Sequence, residues 1–209
     1  MLVAADAQRL QECLAAGGVA LFPADTVYGL ACDPEQPAAV ARLYELKGRP
    51  PERPAAVLFA TLDGALGALP ELVVREREAA RALLPGPVTL LLPNRARRFP
   101  LACGPDPDTL GLRVPALTGA LAPLSGLTRP LLQSSANRSG EPEARRLADV
   151  DRRLREGADL VLDGGELPGT ASTVVDLRAF AASGRVQIVR QGALPAAAVF
   201  DAVGGGSAC

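Results

Sequence analysis

Lys47 is the single lysine in a chain whose other basic residues, 21 of them, are all arginine. Positive charge elsewhere is written as a guanidinium, so this position is marked as one that uses a compact ammonium, which a planar fork does not copy. Chance retention is the alternative. Lys47 opens the run Lys47-Gly48-Arg49-Pro50, with Arg53 and Pro54 following. Two cations so spaced on a proline-stiffened loop can converge on a polyphosphate at small ordering cost, although a basic loop taken alone is more often solvated.

Two further segments offer polar groups at predicted strand exits, where ligand sites of α/β proteins gather. Pro23 to Leu30 places Asp25, Thr26 and Tyr28 beside Gly29; an ordinary Asx or Thr turn accounts for the same residues. Gln133-Ser134-Ser135-Ala136-Asn137-Arg138-Ser139-Gly140 combines hydroxyls, an amide and glycine backbone, as an anion cradle would. Serine-rich loops are common, but Asn137 is one of only two asparagines in the chain. Arg113 and Arg190 each lie in an otherwise apolar run, where a charge is costly unless it is paired or faces a ligand. A structural ion pair with a carboxylate and a ligand contact remain equal readings.

The elements that must position these groups follow from periodicity and punctuation. Asp6 can cap a helix carrying Ala7, Leu10 and Leu14 on one face, closed by Gly17-Gly18. Val19 to Phe22 reads as a buried strand, and Pro23 to Pro34 as turn-rich. The segment Pro37 to Leu46 reads as a helix stopped by Gly48, which puts Lys47 and Arg49 on its exit loop. Strands are expected at Ala55 to Ala60, Val88 to Leu92, Leu110 to Val114 and Pro130 to Gln133, with a charged helix from Glu71 to Leu84. A helix over Ala144 to Glu156 and strands at Leu160 to Leu162, Thr173 to Leu177 and Val186 to Arg190 complete an α/β pattern with a mixed sheet. One domain over 1–203 is expected, with a disordered tail at 204–209.

Composition removes several chemistries. The 209 residues contain no histidine, which excludes Ser-His, Cys-His and HExxH machinery. The four cysteines, Cys13, Cys32, Cys103 and Cys209, show no CxxC spacing, so no zinc site is expected and the thiols read as reduced and structural. No GxxxxGK[ST] or GxGxxG occurs. A formal net charge of -1 argues against a generally basic nucleic-acid coat. No apolar stretch approaches the roughly 20 residues of a membrane helix and no signal pattern is present, so a soluble cytoplasmic protein is expected.

Taken in order, PADTVYGL, KGRP, PGPVTLLL, LGLRVP, SSANRSG, STVVDL and VRQG resemble the YrdC/Sua5 family of threonylcarbamoyl-AMP synthases from Gly18 to Gly192. The resemblance implies an α/β fold, a twisted open mixed sheet flanked by helices, with a basic concave cavity. It implies a reaction in which threonine's amine captures bicarbonate as a carbamate. The carbamate oxygen attacks the α-phosphorus of ATP, giving threonylcarbamoyl-AMP and pyrophosphate, with Mg2+ accompanying ATP. Carried over by position, Thr26, Arg113, Gln133 and Ser172 bind threonine, and Arg49, Arg53, Thr109, Ser135, Glu143 and Arg190 line the nucleotide site. Lys47 and Arg49 are the choices for neutralising phosphate charge in catalysis, with Asn137 and Ser139 shaping the ATP cradle. Ala24 and Leu58 depart from the family, standing where many members carry threonine and some carry histidine. The chain resembles the family's short single-domain branch, whose product passes to a tRNA threonylcarbamoyl transferase. The competing reading is a non-catalytic module that binds tRNA or double-stranded RNA or assists ribosome maturation. A carbamoyl-transfer domain of a hydrogenase-maturation system ranks last.

Overall fold

The computed structural model describes residues 1–138 and 141–204. Ser139, Gly140 and the last five residues lie outside that description. The N-terminal helix α1 (Ala5–Ala15) buries Leu10 and Leu14, but its cap is Ala4. Asp6 sits instead in the first turn, where its carboxylate accepts from the Val3 N–H at 2.8 Å. Two strands follow, β1 (Ala20–Pro23) and β2 (Tyr28–Cys32). The second overturns the turn-rich reading of 23–34: every residue of Tyr-Gly-Leu-Ala-Cys is buried, and the strand pairs on one side with β1 and on the other with Leu132 to Ser135.

Helix α2 (Pro37–Lys47) starts on a proline, whose fixed φ and missing N–H suit a first turn. It ends at Gly48 in the left-handed region, φ 62°, where the amides of Gly48 and Arg49 return to the carbonyls of Glu45 and Tyr44. Lys47 is therefore the last helical residue, buried, and not part of a loop. The chain continues through β3 (Ala56–Leu58), an unforeseen α3 (Leu62–Ala68), α4 (Val74–Leu83), β4 (Val88–Pro93), α5 (Pro100–Cys103), β5 (Thr109–Arg113) and β6 (Leu131–Ser135). A 3-10 segment, Gly119–Gly126, bridges the last two.

The helix expected over 144–156 is not formed. Ala144 gives its carbonyl to the Tyr28 amide, Leu147–Asp149 makes a single 3-10 turn, and only α6 (Arg152–Gly157) is helical, started by the Asp151 carboxylate accepting from Arg153 N–H. The remaining elements are β7 (Leu160–Val161), β8 (Thr173–Asp176), α7 (Phe180–Ser183), β9 (Gln187–Arg190) and α8 (Ala196–Ala202).

The nine strands of the described residues join one mixed sheet in the order β7-β1-β2-β6-β3-β5-β4-β8-β9. Register sorts its side chains onto two faces. Leu90, Leu112, Val57 and Leu132 are successive partners across β4, β5, β3 and β6, and each belongs to the main core under α2, α3 and α4. One residue out of phase, Leu91, Gly111, Ala56 and Gln133 are partners on the opposite face. That face is covered at one end only, where α1 and the 119–126 turn pack in one cluster with Ala20, Phe22 and Ala31 of β1 and β2 and with Leu58 and Leu131 at the ends of β3 and β6. The rest of it, from Gln133 of β6 across to β9, lines cavities instead. None of the described helices is long and apolar enough to cross a membrane.

Candidate active site

The cavity-lined half of the sheet collects the side chains that sequence singled out. Along β5 the alternation of a strand sends Thr109, Gly111 and Arg113 to this face. Gln133 and Ser135 arrive from β6 by the same rule. Ser172 stands at the entry to β8 and Arg190 at the end of β9. A cavity of 160 Å³ is lined by Arg49, Arg113, Gln133, Ser135, Ser172 and Arg190. A second cavity, 410 Å³, shares the walls Ala55, Ala56, Thr89 and Val174 with it and holds Thr109. The pair reaches the size of a small-molecule site, about 300–1,000 Å³. A third and larger space, 670 Å³, lies between α2 and α5, is walled mainly by prolines and apolar side chains, and meets the two cavities at Arg49 and Pro105.

Arg113 is the most constrained of these groups. It is 3% exposed, and its Nη2 donates to Asp25 Oδ1 while the guanidinium lies 3.4 Å from Thr26 Oγ1. Asp25 in turn accepts from the Ala116 amide at 3.1 Å. Burial raises the Asp25 carboxyl above its ordinary value, with Arg113 opposing that shift. Burial likewise lowers Arg113, with Asp25 acting against it. The guanidinium remains charged under any ordinary condition. Its Nε–H is buried and has no partner, a donor left over where an anionic ligand would complete the set. Of the two sequence readings of Arg113, the structure shows the ion pair, and the same guanidinium lines the cavity. The Pro23–Leu30 segment works as more than a turn, since Asp25 and Thr26 are the groups that orient this arginine. Tyr28 is turned away from the cavity and ties β2 to another loop, its hydroxyl 2.8 Å from Asp163 Oδ1 and accepting from the Gly164 amide at 3.0 Å.

Lys47 reaches the cradle from beneath. Its Nζ donates to the Ser135 carbonyl, lies 3.1 Å from Ser135 Oγ and 3.4 Å from Asn137 Oδ1. Ser135 Oγ donates to Asn137 Oδ1 at 2.5 Å, and Asn137 Nδ2 to the Glu141 carbonyl at 2.6 Å. Asn137 therefore shapes the loop from within it. Burial, then the nearby charges of Arg49 and Arg190, bring the Lys47 ammonium down to about 7, against the pull of Glu143.

Arg49 stacks over Tyr44 with 5.7 Å from its guanidinium carbon to the ring centroid, and donates Nη2 to the Pro54 carbonyl. Its Nε–H is buried without a partner. Arg190 donates to the Ser172 carbonyl at 2.8 Å. It sits on an exposed edge strand, so the sequence argument from a costly buried charge does not apply to it. Arg53 is exposed and lines neither cavity; its carbonyl accepts from Tyr44 Oη at 2.7 Å. Ser139 lies outside the described residues. Sequence reasoning did not single out Thr89, whose hydroxyl is 2.8 Å from Ser172 Oγ on the cavity wall. Its signal was a lone hydroxyl in the apolar run Val88 to Leu92.

Comparison with known proteins agrees with this architecture. The family model Sua5_yciO_yrdC, described as telomere recombination, matches residues 12–192. A threonylcarbamoyl-AMP synthase of Xanthomonas euvesicatoria is 37% identical over 161 residues, covering 76% of this chain and 86% of that protein. One from Chromohalobacter salexigens is 37% identical over 180 residues, 82% of this chain and 94% of that protein. The solved structure of P. abyssi Sua5 complexed with L-threonine superposes with a TM-score of 0.82 at 30% identity over 98% of this chain, which spans 59% of that longer protein. E. coli YciO shares the fold at a TM-score of 0.77 and 22% identity, with 95% of each chain covered. The chain belongs to the Sua5/YciO/YrdC family.

Proposed function

We propose that this protein is a threonylcarbamoyl-AMP synthase, a nucleotidyltransferase that joins L-threonine, bicarbonate and ATP into threonylcarbamoyl-AMP with release of pyrophosphate. The observation that carries the reading is Arg113: a buried guanidinium, oriented by Asp25, that keeps an unpaired N–H beside a cavity large enough for an amino acid. A carboxylate is the ligand that such a donor takes best. The names of the relatives that this chain matches over most of their length support the same assignment.

In this reading Arg113 and Thr26 hold the threonine carboxylate and Gln133 and Ser172 its polar remainder. The threonine amine adds to bicarbonate with loss of water to give a carbamate. A carbamate oxygen then attacks the α-phosphorus, and the bond to the bridging oxygen of pyrophosphate breaks. Charge accumulates on the phosphoryl oxygens and on the departing pyrophosphate. Lys47, Arg49 and Arg190 surround the Ser135 cradle, so these cations stabilise charge without any histidine or covalent intermediate. Arg53 and Thr109 belong to the nucleotide's outer contacts. Among the described residues no three carboxylate, cysteine or histidine side chains cluster. Magnesium is compatible with that donor set when it travels with the phosphates and takes a single carboxylate, for which Glu143 is the candidate. Its contribution is to neutralise phosphate charge.

The surface disfavours the RNA-binding reading. Many arginines outside the site are bound to carboxylates, among them Arg42 to Asp159, Arg95 to Glu76 and Arg146 to Glu166, so they are not free to replace counterions along a phosphate backbone. A cytoplasmic location, a single domain and delivery of the unstable product to a tRNA-modifying transferase complete the proposal. The deciding measurement is pyrophosphate release from MgATP and bicarbonate, with and without L-threonine. Threonine-dependent release is expected; none under conditions where a known synthase turns over would reject the assignment.

A further inference from the structure

This inference rests on the synthase reading and concerns how Ser172 meets the amino acid. The backbone around Ser172 is clamped from both sides. The Pro87 carbonyl accepts the Thr173 amide at 3.0 Å, and the Ala171 carbonyl accepts the Ala193 amide at 2.9 Å. Arg190 holds the Ser172 carbonyl at 2.8 Å, while Thr173 Oγ1 accepts the Gly192 and Leu194 amides, each at 3.0 Å. What remains to be set is the direction of the Ser172 hydroxyl.

The residue placed to set it belongs to the run Pro85-Gly86-Pro87-Val88-Thr89, to which the synthase reading assigns no ligand contact. Thr89 shares a face of the sheet with Leu91 by the alternation of β4. Leu90 partners Leu112 antiparallel, so Thr89 stands across from Arg113, and its partner on the other side is Val174 of β8. Thr89 and Ser172 are both buried and both line the 160 Å³ cavity, with their hydroxyl oxygens 2.8 Å apart. The Thr89 hydroxyl has no other hydrogen-bond partner among the described residues, so its proton goes to Ser172 Oγ. Arg190 Nη2 aims a second donor at the same oxygen from 3.4 Å. With both lone pairs of Ser172 Oγ engaged, its own O–H is left to donate. We propose that Thr89 is a positioning residue that holds the Ser172 hydroxyl as a donor into the cavity, toward an oxygen of the amino acid and not toward its amine. The effect of Thr89 on the substrate passes through Ser172.

The test is a double-mutant cycle on L-threonine affinity, read by calorimetry and as KM with MgATP and bicarbonate. Thr89→Val keeps the β-branched shape that suits a strand and removes only the hydroxyl. It is expected to weaken threonine about threefold to tenfold, the worth of one net hydrogen bond. KM for ATP stays unchanged, and Thr89→Ser restores the wild-type threonine affinity. In a Ser172→Ala background Thr89→Val is expected to add nothing further, the non-additivity of a residue that acts through its neighbour. Should Thr89→Val not fold, Thr89→Ala carries the same cycle. An equal loss with and without the Ser172 hydroxyl would make Thr89 a direct contact and overturn the inference. So would unchanged threonine affinity in the folded valine variant, or a parallel rise in KM for ATP, which marks a structural role. A wild type that neither binds threonine nor turns over ATP in its presence overturns the synthase reading and this inference together; a wild type that does both, with an additive cycle, overturns this inference alone.

Discussion

Burial of the Lys47 ammonium lowers its pKa from 10.5 to about 7, and that shift has two readable consequences. Between those values the unfolded chain holds the proton and the folded chain does not, so the contribution to stability rises with pH across this window. Lys47→Met removes the group, and the difference between wild-type and variant unfolding free energies is expected to slope with pH between about 7 and 10 and flatten below. The second consequence concerns the ligand. A polyphosphate beside Nζ favours the charged amine, so ATP binding near pH 8 takes up a proton, up to one per site. Calorimetry in buffers of different ionisation enthalpy reads that number directly; buffer-independent heats in the wild type would rule it out. The same variant is expected to lose about 10²–10³ in kcat, the cost of one charge-stabilising group.

Arg113 makes a prediction of the opposite kind. Arg113→Ala leaves the buried Asp25 carboxylate without its counter-charge, and is expected to cost about 3–5 kcal/mol in denaturant unfolding. Arg113→Lys keeps a charge for Asp25 but loses the planar fork, so stability suffers less while the threonine KM rises about tenfold or more. A lysine variant with unchanged threonine KM would remove the carboxylate from Arg113. This pairing was only half legible in the sequence: Arg113 drew notice as a charge in an apolar strand, whereas its partner lies in a different motif 88 residues away. Lys47 was legible for a reason unrelated to structure, the near-absence of lysine, and its burial at a helix end was not.

At the scale of elements, the core strands were readable because runs of Val and Leu between Gly and Pro leave few alternatives: β3 falls within its expected segment, and β4 and β5 match theirs to within one residue at each end. The failures have physical causes. β2 was hidden because Tyr-Gly-Leu-Ala-Cys has weak strand propensity of its own and is held by neighbours on both sides. The 144–156 segment carries good helix formers, but Ala144 is spent on a backbone bond to Tyr28 and Asp151 starts the helix late. Close approach of backbones is invisible to periodicity, and Gly192 is the clearest case. A Cβ there would stand 2.3 Å from the Ala171 carbonyl oxygen and 2.5 Å from the Ser172 carbonyl carbon. Neither is a flexible side-chain tip, so Gly192→Ala must shift the segment that carries Ser172. A loss of about 1–3 kcal/mol is expected, together with a higher threonine KM; a variant matching the wild type in both would show that this segment yields freely.

For the molecule as a whole, the sheet is asymmetric in what covers it. One face is packed along its length by helices, and the other is packed only over β1, β2 and the Leu58 and Leu131 ends of β3 and β6. The ligand would occupy the uncovered half, touching side chains from β6 through β9, so it acts as a piece of core supplied from outside. Edge strand β9 is largely exposed and joins β8 across an irregular register at Val174 and Val175. Its amides are expected to exchange with solvent faster than those of β4 and β5, which are buried between partners on both sides. Saturating ATP and threonine, at about 100 times their dissociation constants, stabilise the folded state by roughly 2.7 kcal/mol each through mass action. For a chain of this length that raises Tm by several degrees, at about 2–4 °C per kcal/mol. Exchange measured by mass spectrometry is then expected to slow in β9 and around Ser135 and to change little in α1. Ligand protection confined to the α1 end would place the site on the covered half and contradict the arrangement of cavities on the other.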